Sequence, residues 1–263
     1  MVSLDEIKKK TYDLNVPDIL LGDKRYELRF VKNADELDQV LKLRYDVFNL
    51  ELGEGLDSSV LTGRDEDEFD RVCHHLIVIY KDTQQVIGTY RMQTIEMASK
   101  GFYSAAEFRI DQIPAEVLNL SVEVGRACID AEHRNRGVLF LLWQGLAHYM
   151  MAMKKRYLFG CCSLTSQDPD EAKLLMDFLI EKGYGHPDFT IQPQEAFRCY
   201  QDGYQVQKMV EIKIPKLFQI YLNYNSMVCG PPAIDKEFKT IDYLVMMDIK
   251  KLDERSVKMF FGS

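Results

Sequence analysis

One stretch constrains the fold of this chain more than any other. Ser121-Val-Glu-Val-Gly-Arg-Ala-Cys-Ile129 is apolar enough to be a buried strand, yet it carries the carboxylate of Glu123 and the guanidinium of Arg126. It runs into a turn with paired arginines and a glycine, His133-Arg-Asn-Arg-Gly137, and then into the apolar run Val138 to Tyr149, which reads as an amphipathic helix. A helix fed by such a turn presents free backbone N–H groups and a positive dipole end, a natural seat for a phosphate. The chain must therefore mix strands with helices around a polar, phosphate-sized site.

Composition narrows the class. At 263 residues and 46% hydrophobic, the chain can bury a substantial core as one domain. We expect that domain over residues 25–250, with an N-terminal extension 1–24, a tail 251–263, and 185–235 as an insertion or cover. The apolar runs fall short of the roughly 18 residues a membrane span needs, and Met1-Val-Ser-Leu-Asp5 shows no basic-then-apolar leader. The expectation is a soluble cytoplasmic protein, with peripheral contact at the inner membrane allowed. Cys73, Cys128, Cys161, Cys162, Cys199 and Cys229 show no zinc-like spacing, so reduced, mostly buried thiols are expected, with no metal. A net charge of −8 argues against nucleic acid, while basic clusters at Lys8 to Lys10, Arg134/Arg136 and Lys154 to Arg156 are either solvated surface or docking points for an acidic partner.

Taken in order, Lys24 to Val31 alternates as a strand, and Asn33-Ala-Asp-Glu36 caps a helix running to about Leu50. Leu37, Leu41 and Phe48 form its apolar face, with Arg44 on the same face. Arg44 must find a buried carboxylate or snorkel along its stem to solvent. Asp65-Glu-Asp-Glu-Phe-Asp70 packs five carboxylates into six residues, a solvated loop or a cation site. His74 to Tyr80 and Gln85 to Thr94 read as a hairpin, with Arg91 able to reach the acidic loop or Glu123. Beyond the organising stretch come a strand Tyr157 to Leu164 and a helix Ala172 to Lys182 capped at Asp168-Pro-Asp-Glu171. A weaker strand Gln194 to Tyr200, a short helix Pro215 to Tyr224, the rigid turn Cys229 to Asp235 and a last strand Asp242 to Ile249 follow.

The succession of mixed sheet, Glu-bearing strand, Arg-x-x-Gly turn and helix resembles the GNAT acyltransferase fold. Leu43-Arg44-Tyr45 with Phe48, Asp67 with Asp70, Gly88-Thr89-Tyr90-Arg91 and Glu123-Val-Gly-Arg126 are similar to the acyl-homoserine-lactone synthases. Leu141-Leu-Trp143, Phe159-Gly-Cys-Cys-Ser163, Gly230-Pro-Pro-Ala-Ile-Asp235 and Asp242-Tyr-Leu244 bring the chain closer to the N-acyltransferases of ornithine-lipid synthesis, over roughly Arg25 to Asp248. The resemblance implies an α/β (α+β) fold, with a GNAT-like central mixed, mostly antiparallel twisted sheet flanked by helices and a C-terminal extension completing the acyl site. It implies transfer of a long, 3-hydroxylated acyl chain from acyl carrier protein to the α-amine of an amino acid, with ornithine in first place. No cofactor is expected beyond the acyl-phosphopantetheine thioester on the carrier protein as co-substrate. Leu139 stands where the GNAT turn ends in Gly or Ala, and its bulk weighs against coenzyme A.

Carried onto this chain, the resemblance makes Gly125, Ala127, Cys128, Arg134, Arg136 and Gly137 donor-binding, and Arg44, Phe48, Asp67, Asp70 and Arg91 substrate-binding. Glu123 and Arg126 become the catalytic pair. An amine attacking a thioester must lose its ammonium proton, and Glu123 is either the base that takes it or the ion-pair partner of Arg126 or Arg44. Backbone N–H groups around Gly125 to Ala127 would polarise the carbonyl. Cys161 and Cys162, with no His at a fixed offset, read as packing. Asp67 and Asp70 either converge on the side-chain ammonium of ornithine or hold Arg44 or Arg91. Acylation of glycine or another amine, acyl-CoA-dependent acetylation of a small amine, and a non-enzymatic membrane-active protein are the alternatives.

Overall fold

The structure of the protein, a computed structural model, describes residues 16–262. The Lys8 to Lys10 cluster and most of the expected N-terminal extension lie outside the described residues. In chain order the elements are β1 (Leu21–Gly22), β2 (Tyr26–Phe30), α1 (Ala34–Tyr45), β3 (His74–Tyr80), β4 (Gln85–Thr94), β5 (Ser121–Ile129) and α2 (Arg136–Ala152). They continue with β6 (Tyr157–Leu164), α3 (Pro169–Glu181), α4 (Lys216–Asn223), β7 (Met227–Val228), β8 (Ala233–Asp235), β9 (Thr240–Asp248) and α5 (Glu254–Phe261). The strands pair mostly antiparallel, and no described helix is long and apolar enough to cross a membrane.

Two compact units result. One gathers residues up to Lys100, Val124–Lys155 and Glu254 onward; the other gathers Gly101–Glu123 and Arg156–Asp253. Strand β5 begins in the second unit and ends in the first.

In the first unit β1 to β4 form an antiparallel meander, with Tyr26–Phe30 opposite Tyr80–Leu76 and His74–Tyr80 opposite Met92–Gln85. Helix α1 starts where Asn33 Oδ1 accepts the Glu36 N–H, and the Glu36 carboxylate accepts from Lys32 N–H and from Arg29, the cap written in the sequence. The helix was expected to run to about Leu50. Its α-helical part ends at Tyr45, and Asp46–Glu51 continues as a π turn in which Leu52 N–H reaches back to Val47 O at 3.0 Å. Such a turn re-aims the chain just after Arg44 and buries Phe48.

Helix α2 lies against the meander because Gly145, in its middle, has no side chain. A Cβ there would stand 2.7 Å from Leu76 and 2.9 Å from Leu28, both fully buried. The glycine costs about 1 kcal/mol of helix propensity and permits the close approach that covers these leucines. At the helix end, Trp143 and Phe140 stack with Phe260 of α5, at 5.5 and 5.8 Å between centroids.

The second unit is built on β9. It pairs antiparallel with β6 from Leu164↔Ile241 to Tyr157↔Asp248, and also with β7 and β8. β6 runs parallel to β5 over Ser121–Glu123. Asp168 caps α3 by accepting the Asp170 N–H, with Pro169 at the first helical position. Tyr243 of β9 donates its hydroxyl to Ala172 O at 2.9 Å, and its ring meets Phe218 of α4. The segment Gln194 to Tyr200, expected as a strand, forms a short 3-10 turn at Glu195–Phe197 instead. The chain bridges Phe108 at Pro193, just before the segment, and β8, the strand that Arg198 meets at Ala233, is three residues long, too short to extend that bridge into a ladder.

Two adjacent histidines are buried in the first unit. His75 donates Nε2–H to Asp70 O at 2.8 Å, and His74 Nδ1 lies 2.9 Å from the Tyr149 hydroxyl. Burial pushes both imidazoles down to about 4, so they fold neutral. Their contribution to stability is complete above the ordinary histidine value near 6.5 and is lost as pH falls toward 4, because the unfolded chain binds the protons first. Chemical denaturation between pH 7 and pH 4.5 should show stability falling below pH 6.5 by about 1.4 kcal/mol per pH unit for each histidine. His75→Gln should remove about half of that slope; an unchanged slope would assign the acid sensitivity elsewhere.

Candidate active site

The first unit holds a cluster of three arginines and three aspartates. Arg44, fully buried, donates Nε to Asp65 at 2.7 Å and its Nη atoms to Asp70 at 2.6 and 3.3 Å. Arg91, from the middle of β4, places Nη1 against both oxygens of Asp67, at 2.6 and 2.7 Å, and against Asp70 at 2.9 Å. Arg126 closes the set with Nε on Asp65 at 3.1 Å and Nη2 on Asp67 at 3.4 Å. Three positive and three negative charges cancel, the condition on which so many ions can leave water together.

The loop 65–70 is shaped for this task. Asp65 N–H donates to Leu41 O, Asp67 N–H to Asp70 Oδ2, and Phe69 N–H to Asp67 Oδ1, while the Phe69 ring lies 5.8 Å from the Arg91 guanidinium. Burial alone would raise the carboxyls, but Arg44 and Arg91 hold Asp70 far below the usual range, and Arg126 and Arg44 lower Asp65. Arg44 therefore points inward, and the loop is a salt-bridge lattice. Of the two roles expected for Asp67 and Asp70, the geometry matches the second, holding Arg44 and Arg91: both carboxylates are taken by arginines, whose charge would repel an ammonium. Asp65, which joins Arg44 to Arg126, was missed as a site residue. Its signal was available, since an inward arginine with five donors needs more than one carboxylate.

Arg126 has a left-handed backbone, φ +50°, rare for a residue with a Cβ and costing about 1–3 kcal/mol. Around it Gly125, Arg126 and Ala127 are half-buried, while the rest of β5 is buried. A Cβ on Gly125 would meet no atom within 4 Å, so the strand faces open space there. Cys128 is buried, and burial raises its thiol to about 12. Burial likewise raises the thiols of Cys161, Cys162, Cys199 and Cys229, leaving them poor nucleophiles.

Glu123, in the second unit, is bound by a turn the sequence did not flag. Its Oε2 accepts Tyr103 N–H at 2.7 Å, and its Oε1 accepts Ser104 N–H at 2.8 Å and the Ser104 hydroxyl. These donors lie at the start of the 3-10 turn Tyr103–Ala106. At the start of α2, Asn135 Oδ1 accepts the N–H groups of Gly137 and Val138 at 3.0 and 3.1 Å, so the cap occupies two of the amides expected to face a phosphate. Arg134 forms a fork with Glu51 and donates to Ile129 O at 2.9 Å, while Arg136 is exposed and makes no ion pair among the described residues.

Residues 43–144 match the sequence model of the acetyltransferase (GNAT) domain, the stretch that carries the arginine cluster, β5 and the turn into α2. The protein is an acyltransferase of GNAT-like fold. More particularly, it is similar to the L-ornithine N(alpha)-acyltransferases. It is 28% identical over 255 residues to that of Brucella abortus (strain 2308), covering 89% of this chain and 88% of that protein. It is also 28% identical over 264 residues to that of Rhizobium meliloti (strain 1021), covering 92% and 86%. The AHL synthase LasI aligns over 94% of this chain and 97% of its own, with 12% identity and a TM-score of 0.48.

Removing one member of a buried ion set leaves its partner's charge uncompensated. Asp65→Asn should therefore cost about 3–5 kcal/mol in urea unfolding, and Asp67→Asn clearly less, since Asp67 is 14% exposed and Asp65 not at all. Equal losses would show that the network is not organised around Asp65.

Proposed function

We propose that the protein transfers a long, 3-hydroxylated acyl chain from an acyl carrier protein thioester to the α-amino group of ornithine, giving a lyso-aminolipid. The observation that carries this reading is the relation to four L-ornithine N(alpha)-acyltransferases, each aligned over 88–92% of this chain.

In this reading the thioester lies along β5, in the open space above Gly125, and backbone N–H groups from Gly125 to Ala127 polarise its carbonyl. The carrier's single phosphodiester is met by Arg136 and the turn before α2, where Leu139 leaves less room than a pyrophosphate needs. The α-ammonium gives up its proton to Glu123, directly or through a water. The free amine then attacks the carbonyl to form the C–N bond, and as the tetrahedral oxyanion collapses the C–S bond breaks and the nitrogen's second proton passes to the departing pantetheine sulfur, which leaves as the thiol. The hydrogen bonds from Tyr103 and Ser104 hold Glu123 in one orientation for this step. The arginine cluster keeps Arg126 in its left-handed turn and so sets the course of the strand beside the thioester.

Incubating the purified protein with 3-hydroxyacyl carrier protein, acyl-CoA and acetyl-CoA against a panel of amino acids, with mass-spectrometric product analysis, tests the reading. The expected product is Nα-acylornithine, formed from the carrier-protein thioester. Products made only from acetyl-CoA and small amines, or only from glycine, would replace it. Glu123→Gln should lower kcat by about 10²-fold with little change in KM. A loss of activity that merely tracks a lowered melting temperature would make Glu123 an anchor of the turn and not a base.

A further inference from the structure

The second unit contains a buried acidic cluster that the chemistry above does not use. Glu107, Asp235 and Asp242 each place a carboxylate oxygen within 4.8 Å of the other two, and all three residues are buried. Each comes from a different element. Glu107 follows the 3-10 turn that binds Glu123, and its N–H donates to Ser104 O. Asp235 ends β8, fixed by the N–H groups of Glu237 and Phe238, both at 2.8 Å from its Oδ1. Asp242 lies in β9, where Oδ2 accepts the Thr240 hydroxyl at 3.1 Å.

A second observation points to a missing cationic group. Asp242 is only 4% exposed, and its Oδ1 is shut off from water with no hydrogen-bond partner. Neither Asp235 nor Asp242 takes part in any ion pair among the described residues, in contrast to the aspartates of the arginine cluster. Burial raises the Asp242 carboxyl and the neighbouring Asp235 adds to the rise, against the lowering effect of hydrogen bonds with Ser163, Glu107 and Thr240. Oxygens no more than 4.8 Å apart can share one small cation. Three acceptors arranged tetrahedrally about a single ammonium nitrogen, each at ~2.8 Å, stand about 4.6 Å apart.

The cluster shares a face with Glu123. Glu123 is opposite Phe159 and Asp242 opposite Ser163, and Phe159, Cys161 and Ser163 alternate onto one side of β6. The Cys161 thiol between them is raised by burial, then by Glu107, Asp242 and Glu123 in turn. Asp235 and Asp242 also belong to the two C-terminal motifs, Gly230 to Asp235 and Asp242 to Leu244, to which the chemistry above gave no task.

We propose that Glu107, Asp235 and Asp242 form the specificity site for the acceptor, binding the side-chain ammonium of a diamino acid on the same sheet face as Glu123. This rests on the acyltransferase reading above and names the part of the site that selects the amine. An acceptor without the second ammonium leaves Asp235 and Asp242 buried without a cation, a stronger discrimination than a missing methylene provides.

The test compares L-ornithine with L-norvaline, which has the same carbon chain and no terminal amine, in the wild type, Asp242→Asn and Glu107→Gln. The wild type should prefer ornithine in kcat/KM by about 10²-fold or more, and each variant should collapse that ratio, mainly through KM for ornithine. Calorimetry of the full chain with ornithine, norvaline, Ca²⁺ and Mn²⁺ reads the same site without turnover. It should show ornithine binding in the wild type and its loss in Asp242→Asn. A folded variant with an unchanged ratio, or with equal loss toward both acceptors, overturns the assignment. So does a wild type that binds Ca²⁺ or Mn²⁺ and shows no preference for ornithine. Should Asp242→Asn not fold, Glu107→Gln and the wild-type preference decide. Failure of the wild type to acylate any amino acid would reject the acyltransferase reading instead, while the binding arm still judges the cluster.

Discussion

Arg44 is fully withdrawn from solvent, and much of the first unit is arranged to make that possible. A guanidinium leaves water only where carboxylates accept its donors with good geometry, since the desolvation penalty is several kcal/mol per ion. Asp65 and Asp70 meet it from a loop that folds back onto α1 through Asp65 N–H and Leu41 O. Those carboxylates then need further cations, which Arg91 and Arg126 supply from β4 and β5. Helix, loop and two strands are thus bound into one electroneutral lattice. Hydrophobic burial holds α2 on the meander, with Gly145 allowing contact with Leu28 and Leu76, but it has no comparable directionality. The ion lattice is what fixes the angle and register of the acidic loop.

This arrangement bears on chemistry through Arg126. A left-handed backbone at a residue with a Cβ persists only where its surroundings over-determine it. Here two aspartates grip the side chain, and the adjacent Gly125 leaves space beside the strand. Glu123 is held separately, by backbone and hydroxyl donors of a short turn. Glu123 and Arg126, three residues apart on one strand, are thus each held by groups from other elements.

The acidic groups of the two units show how the same side chain takes opposite roles. Asp70 sits among arginines that hold its carboxyl far below the usual range, whereas Asp242, equally buried, has no described ion-pair partner and is raised. The first is part of the scaffold. The second retains an unused acceptor atom, the property expected of a binding group.

The sequence by itself determined the local elements and the fold class. Alternation in His74 to Tyr80 and Gln85 to Thr94 became the hairpin β3 and β4, Asn33 and Asp168 cap their helices, and the strand, turn and helix from Ser121 onward stand where the apolar pattern put them. These depend on hydrogen bonds and side-chain periodicities spanning a few residues, which a sequence displays directly. The π turn after Tyr45 and the absence of a strand at Gln194 to Tyr200 were not legible, because each depends on what the neighbouring edge offers. The partners of the charged groups were less legible still. The run Asp65 to Asp70 has the composition of a solvated loop or a cation site, and only the approach of Arg44, Arg91 and Arg126 from 21 to 61 residues away in the chain made it a lattice. Glu107 lies more than a hundred residues from Asp235 and Asp242 in the chain, and the three acquire a common identity only when β8, β9 and the 3-10 turn bring their carboxylates together. Long-range pairing of charges depends on which strands become neighbours, and that was decided by the tertiary structure alone.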